Sequence, residues 1–166
     1  AGYFRLFAAS DLFVILDCVQ FPRTGWVHRN RLTDRNGNLI WLTLPLEKAP
    51  QRTTLIRDLH FRVDAGDALR EQARRFPLFD APANPIDEIA TAVLSPSGSV
   101  VDHIAALLEK TCAMLKLPFN VIRSSALDID PGLRGWERIV AIARRQGADT
   151  YLNAPGGIGL YDLEDF

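Results

Sequence analysis

The chain has 166 residues, long enough to bury a sizeable core. Hydrophobic residues make up 48% and charged residues 23%, and the formal net charge is -1, which excludes a polycation built for nucleic acid or membrane surfaces. Cys18 and Cys112 supply no disulfide framework and suit a reducing cytoplasm. No signal peptide is recognisable, and no apolar stretch approaches the roughly 18 residues needed to span a bilayer.

The chain opens on Ala1, and Gly2 to Ala9 already reads as the end of an amphipathic helix, with Tyr3, Leu6 and Phe7 on one face. A missing natural N-terminus and a single domain over 1–166 are therefore expected. Leu12 to Leu16 is a continuous apolar run ending in Asp17, as in a strand covered on both faces of a parallel sheet. Phe21 to Asp34 reads as loop, broken by Pro22 and Gly25. Asn36-Gly37 signals a hairpin turn, with a strand over Leu39 to Leu46 running out of it. A polar linker follows, and Leu55 to Val63 alternates like a half-exposed strand.

Helices are then predicted over Asp67 to Phe76 and, from Pro85 in its first turn, to Leu94. Ser99 with Asp102 reads as a capping box for a long helix to about Lys116, with Ile104, Leu107, Leu108, Cys112 and Leu115 inward and His103 on its polar face. Phe119 to Arg123 reads as a buried strand. Asp130-Pro131 opens another helix, with Trp136, Ile139, Val140 and Ala143 as core face and Gly147 as its stop. Thr150 to Leu152 reads as a last short strand before a Pro-Gly-Gly loop and an acidic tail. The order of elements predicts an α/β fold: a mostly parallel sheet flanked by helices, with an antiparallel β-hairpin addition around residues 36–63.

Several segments together resemble the WbqC-like family of bacterial proteins. They are Gly2-Tyr3-Phe4, Ser10 to Asp17, Val19-Gln20-Phe21, Trp26, Arg29-Asn30-Arg31-Leu32, Trp41 to Pro45, Arg123-Ser124-Ser125 and Gly147 to Gly157. The resemblance implies a cytoplasmic protein tied to O-antigen or other surface-polysaccharide gene clusters. Family members usually begin with a His-Gln-Pro segment just before Gly-Tyr-Phe, which this chain lacks, and Cys18 stands where a second Asp is common. A His-containing segment placed there would resemble, at the level of fold, nucleotidyltransferases with a His-x-Gly-His motif.

Polar residues after putative strands are the candidate site, because open α/β sheets bind ligands at the carboxyl ends of their strands. Arg29 and Arg31 suit phosphate or carboxylate, and Asn30 a sugar hydroxyl or base edge. The alternative is a solvated loop whose charges pair with Asp17 and Asp34. Asp17 reads either as a ligand-binding carboxylate or as a cap that stops its strand. Gln20 and Trp26 offer hydrogen bonding and a stacking surface, with a core position the stronger reading of Trp26. His28 reads as an acid–base group or a surface imidazole.

Arg123, Ser124 and Ser125 form a second candidate loop for phosphate, and Asn153, Gly156 and Gly157 a third. The three loops are expected to converge on one cleft. No zinc spacing, nucleophile elbow or Walker loop occurs, so no metal is expected and no cofactor is named. The expected partner is a small anionic substrate, a sugar nucleotide or sugar phosphate, with homo-oligomers open and nucleic acid not expected. The expected function is a transferase-type enzyme on such a sugar, with Asp17, His28, Arg29 and Asn30 as its catalytic group. The contrasting class is a non-catalytic sugar-nucleotide or partner-binding module.

Overall fold

The structure, a computed structural model, describes residues 2–48, 53–80 and 86–154. The fold is mixed α/β, with five helices, a two-stranded parallel sheet and an antiparallel hairpin among these residues. It divides into two compact units, one of residues 1–17 and 115–166, the other of residues 18–114.

In the first unit, helix α1 (Gly2–Ala9) precedes strand β1 (Phe13–Ile15). Phe7, only 2% exposed, stacks on Phe13 at 4.1 Å between ring centroids and on Phe119 at 5.8 Å. Offset stacks of this kind add about 0.5–1.5 kcal/mol beyond burial. Strand β4 (Val121–Arg123) pairs with β1 in parallel, in the register Phe13–Val121, Val14–Ile122, Ile15–Arg123. Helix α5 (Gly135–Arg145) ends at Gly147, which takes φ of 64°. Its buried residues are Arg138 and Ile142, whereas Trp136 is 38% exposed and not part of the predicted core face. The Arg138 guanidinium instead donates to the carbonyls of Leu133, Asp130 and Pro131 and holds the loop before the helix. Asp130 itself makes an Asx turn, accepting from the Gly132 N–H at 2.7 Å, so the helix starts later than its Asp-Pro suggested. The expected strand over Thr150 to Leu152 is absent, and Tyr151 and Leu152 are exposed. Pro155, Gly156 and Gly157 lie outside the described residues, as does the acidic tail.

In the second unit, strands β2 (Arg29–Thr33) and β3 (Leu39–Thr43) form the hairpin around Asn36-Gly37. Asp34 closes the turn: its Oδ1 accepts from the N–H of Asn36 and of Asn38, both at 2.8 Å, and Gly37 takes φ of 82°. The hairpin thus begins at Arg29, inside the segment read as loop. Its charged residues hid a strand that needs only one buried face.

Helix α2 (Ala65–Ala73) secures the open edge of β3. The Gln72 side-chain amide accepts from Thr43 N–H at 3.0 Å and donates to Thr43 C=O at 2.9 Å. Leu55 to Val63 is not a strand. A 3-10 turn over Ile56–Asp58 interrupts it, and two isolated bridges remain, Leu55 to Gln20 and Phe61 to Leu46. The turn still delivers Leu59 into a core with Phe21 and Val100.

Helix α3 (Ile86–Val93) leads to α4 (Val100–Met114), and Pro85 lies outside the described residues. The capping box is present: Ser99 Oγ accepts from Asp102 N–H at 3.1 Å and donates to Asp102 Oδ2 at 2.6 Å. Cys112 is buried in α4, which pushes its thiol pKa up. His103 is not on a solvated face. It is 5% exposed, packs edge-on to Phe61 at 5.3 Å and leaves Nε2 without a partner.

Burial holds the His103 pKa below its ordinary 6.5, and His28 is lowered too, by burial and then by the adjacent Arg29 charge. For a lowered imidazole the unfolded chain binds the extra proton. Its contribution to stability is whole above the unfolded pKa near 6.5 and drains away as pH falls through the folded value. Urea unfolding at a series of pH values should therefore show stability falling below about pH 6.5. The variant His103→Phe should have a shallower slope just below pH 6.5, where His28 still contributes.

Candidate functional site

Two groups of predicted residues are assembled, one in each unit. In the first, Asp17 follows β1 and is 1% exposed. Its Oδ1 accepts from Ser124 Oγ at 2.9 Å and Ser125 N–H at 2.8 Å, and its Oδ2 accepts from Ser125 Oγ at 2.6 Å. Ser124 Oγ in turn accepts from Asp17 N–H at 3.1 Å. These bonds tie together the carboxyl ends of the two parallel strands, where β4 runs into a 3-10 turn over Ser124–Ala126. Of the two readings of Asp17, the geometry favours the anchor that ends the strand. Both its carboxylate oxygens and both serine hydroxyl protons are engaged with one another. Arg123 stands beside them at the end of β4, half-buried, and Asn153 is exposed with its Oδ1 taking Ala154 N–H at 2.7 Å.

The second group lies on the hairpin and the segment leading into it. Gln20, Phe21, Pro22 and Arg23 line an open groove of about 400 Å³. Gln20 also bridges to Leu55. Phe21 meets the His28 ring edge-on at 4.9 Å, and His28 keeps Nδ1 buried without a partner. Residues 22–25 form a tight turn closed by Gly25 N–H to Pro22 C=O at 2.9 Å. A Cβ on Gly25 would stand 2.8 Å from Pro22 Cγ, so the turn excludes larger residues there.

Strand pairing sets the rest. Arg31 is opposite Trp41 and Arg29 opposite Thr43, so both arginines and Trp41 share one face of the hairpin. Arg29 Cζ lies 4.2 Å from the Trp41 ring centroid and Arg31 Cζ 4.7 Å from it. Arg31 also lies 5.8 Å from Trp26, and the two indoles are 4.8 Å apart. Contacts of this type are worth about 0.5–1 kcal/mol each at exposed sites. Trp26 is 61% exposed, so it is a surface residue and not the core residue favoured from sequence. Neither arginine pairs with Asp17 or Asp34: the first is engaged with the serines and the second with its own turn. Asn30 is exposed, and its Oδ1 accepts from Arg31 N–H at 2.8 Å.

Sequence reasoning missed Trp41 as a member of this cluster. The signal was available in the hairpin turn, which fixes Trp41 opposite Arg31 once the register is counted from Asn36-Gly37. Among the described residues no group of three or more His, Cys, Asp or Glu side chains is arranged to hold a metal. No helix among them is long and apolar enough to cross a membrane.

Removing the Asp17 carboxylate leaves Ser124 Oγ, Ser125 Oγ and Ser125 N–H without their acceptor. The expected cost of Asp17→Ala is about 1–3 kcal/mol of stability, read from the urea midpoint. Ser125→Ala, which leaves Ser124 and the Ser125 N–H on Asp17, should cost less.

The uncharacterized protein Rv1507c of Mycobacterium tuberculosis is 26% identical over 171 residues, covering 99% of this chain and 71% of that protein. No solved structure matches the chain. The WbqC-like protein family matches residues 1–166, and the chain belongs to that family.

Proposed function

We propose that this chain acts on a nucleotide-activated or phosphorylated sugar in surface-glycan assembly, and that the hairpin platform is where it holds that ligand. The observation that carries the reading is the exposed Trp26 beside Arg31, whose guanidinium has no carboxylate partner among the described residues. An indole offers a flat surface for a sugar face or a base. A guanidinium held beside it offers charge and directional donors to a phosphate, in the side-on geometry that recognises oxyanions. Arg29 adds a second positive charge, and Asn30 and Gln20 bring amide groups for hydroxyls. The family's setting in surface-polysaccharide gene clusters, implied by the resemblance, fits a ligand that joins a sugar to a phosphate.

In this reading catalysis is by positioning and charge stabilisation. His28, whose neutral form is favoured by burial and by Arg29, is present near neutral pH as a neutral imidazole that can hydrogen-bond the ligand. In the first unit, Asp17 fixes the Arg123–Ser125 segment.

A second reading, a non-catalytic binding module, is favoured by one feature. The platform of Trp26, Arg29, Arg31 and Trp41 contains no carboxylate and no nucleophile. Product formation separates the two: a module binds saturably and leaves the sugar nucleotide intact.

Thermal shift with UDP-glucose, dTDP-glucose and free glucose tests the site. At about 100 times its dissociation constant a ligand stabilises by roughly 2.7 kcal/mol. Shifts are expected with the sugar nucleotides and not with glucose, and Trp26→Ala should abolish them without lowering the midpoint of the unliganded protein. A shift that survives Trp26→Ala unchanged would remove the platform from the site.

A further inference from the structure

Arg29 and Arg31 stand two positions apart on one face of β2, but their guanidinium groups are committed differently. Arg29 Nε donates to Gly25 C=O at 3.0 Å, and its Nη2 donates to Thr24 C=O at 2.5 Å. Nε and Nη2 form the edge with which arginine grips an oxyanion side-on. In Arg29 that edge is spent on backbone, and what it holds is the Pro22–Gly25 turn. Pro22 and Arg23 of that turn line the groove. The same turn needs glycine at position 25, because a Cβ there would meet Pro22 Cγ at 2.8 Å.

Arg31 is exposed and rests against both indoles. Among the described residues its guanidinium N–H groups have no protein acceptor, because its only hydrogen bond with a side chain runs from its backbone N–H to Asn30. The guanidinium carbon lies over the indole rings, and no protein group among the described residues takes its N–H donors. A cation held in this way is pre-oriented, so little side-chain entropy is lost when an anion docks.

We infer that Arg31 grips the anionic group of the ligand, the diphosphate of a nucleoside diphosphate sugar, while Arg29 is a positioning residue that fixes the 22–25 wall of the groove. The inference rests on the platform reading above and divides its two charges between two tasks. Arg29 keeps its charge near the site, but its side-on edge is not available to the ligand while the turn is intact.

The test is isothermal titration with UDP-glucose at low and high salt, together with amide hydrogen exchange at Gly25, on the wild-type chain and on Arg31→Met and Arg29→Met. For Arg31→Met, affinity should fall by about tenfold or more, and most of its salt dependence should go, because a charge-assisted bidentate contact is lost. Its Gly25 amide should stay as protected as in the wild type. In Arg29→Met, the Gly25 amide should exchange fast while whatever binding remains keeps more of its salt dependence than Arg31→Met does. Binding that requires Trp26 but is unaffected in Arg31→Met would overturn the inference and leave the platform reading standing. So would an Arg29→Met protein that loses the salt dependence with Gly25 still protected. A wild-type chain that binds neither UDP-glucose nor inorganic pyrophosphate would overturn the platform reading and the Arg31 assignment with it.

Discussion

A guanidinium lying against an indole keeps its charge and its in-plane donors while losing much of its freedom to rotate. The hairpin over Arg29–Thr43 creates that arrangement by register alone. Asp34 and Gly37 fix the turn, the turn fixes Arg31 opposite Trp41, and the two-residue period of a strand brings Arg29 to the same face. A slip of one residue would send both arginines to the opposite face. The register is held from outside as well, by Gln72 pairing with the Thr43 backbone and by Arg35, which donates to Arg74 C=O and pairs with Asp80 at 2.7 Å. The exposed pair with Asp80 adds little energy on its own; its use is to fix where the turn sits.

The other anchor has a different chemistry. A carboxylate buried at the end of β1 would be costly without donors. Ser124 and Ser125 supply three, two hydroxyls and a backbone N–H, and so join two parallel strands at the end where such sheets carry their ligands. With two strands in that sheet among the described residues, this clamp has much of the work of fixing the loop after β4. Each unit thus uses polar side chains to hold the backbone of its candidate segment, and a second set of side chains is left facing outward.

Local signals were readable in the sequence wherever the physics was local. The capping box at Ser99 and Asp102, the Asn36-Gly37 turn and the Gly147 helix stop all depend on residues within a few positions of one another. The parallel strands and the mixed α/β class were readable from apolar runs. What was not readable depended on distant partners. Asp17 meets serines 107 and 108 positions away, and nothing around it distinguishes an anchor from a ligand group. His103 sits on the face of α4 that its own helix made look polar, but Phe61 from another segment covers it. Trp136 and Trp26 looked like core because tryptophan usually is, yet both reach solvent. Leu55 to Val63 had the alternation of a strand without a neighbour to pair along it.

The central claim is that the hairpin indoles touch the ligand. The chain has three tryptophans, Trp26, Trp41 and Trp136, and the last lies on α5, in the other unit. Their indole N–H resonances can be followed by two-dimensional NMR while UDP-glucose is titrated in. Ligand contact at the platform should shift the Trp26 and Trp41 resonances saturably. Saturable binding that leaves Trp26 and Trp41 where they were would contradict it.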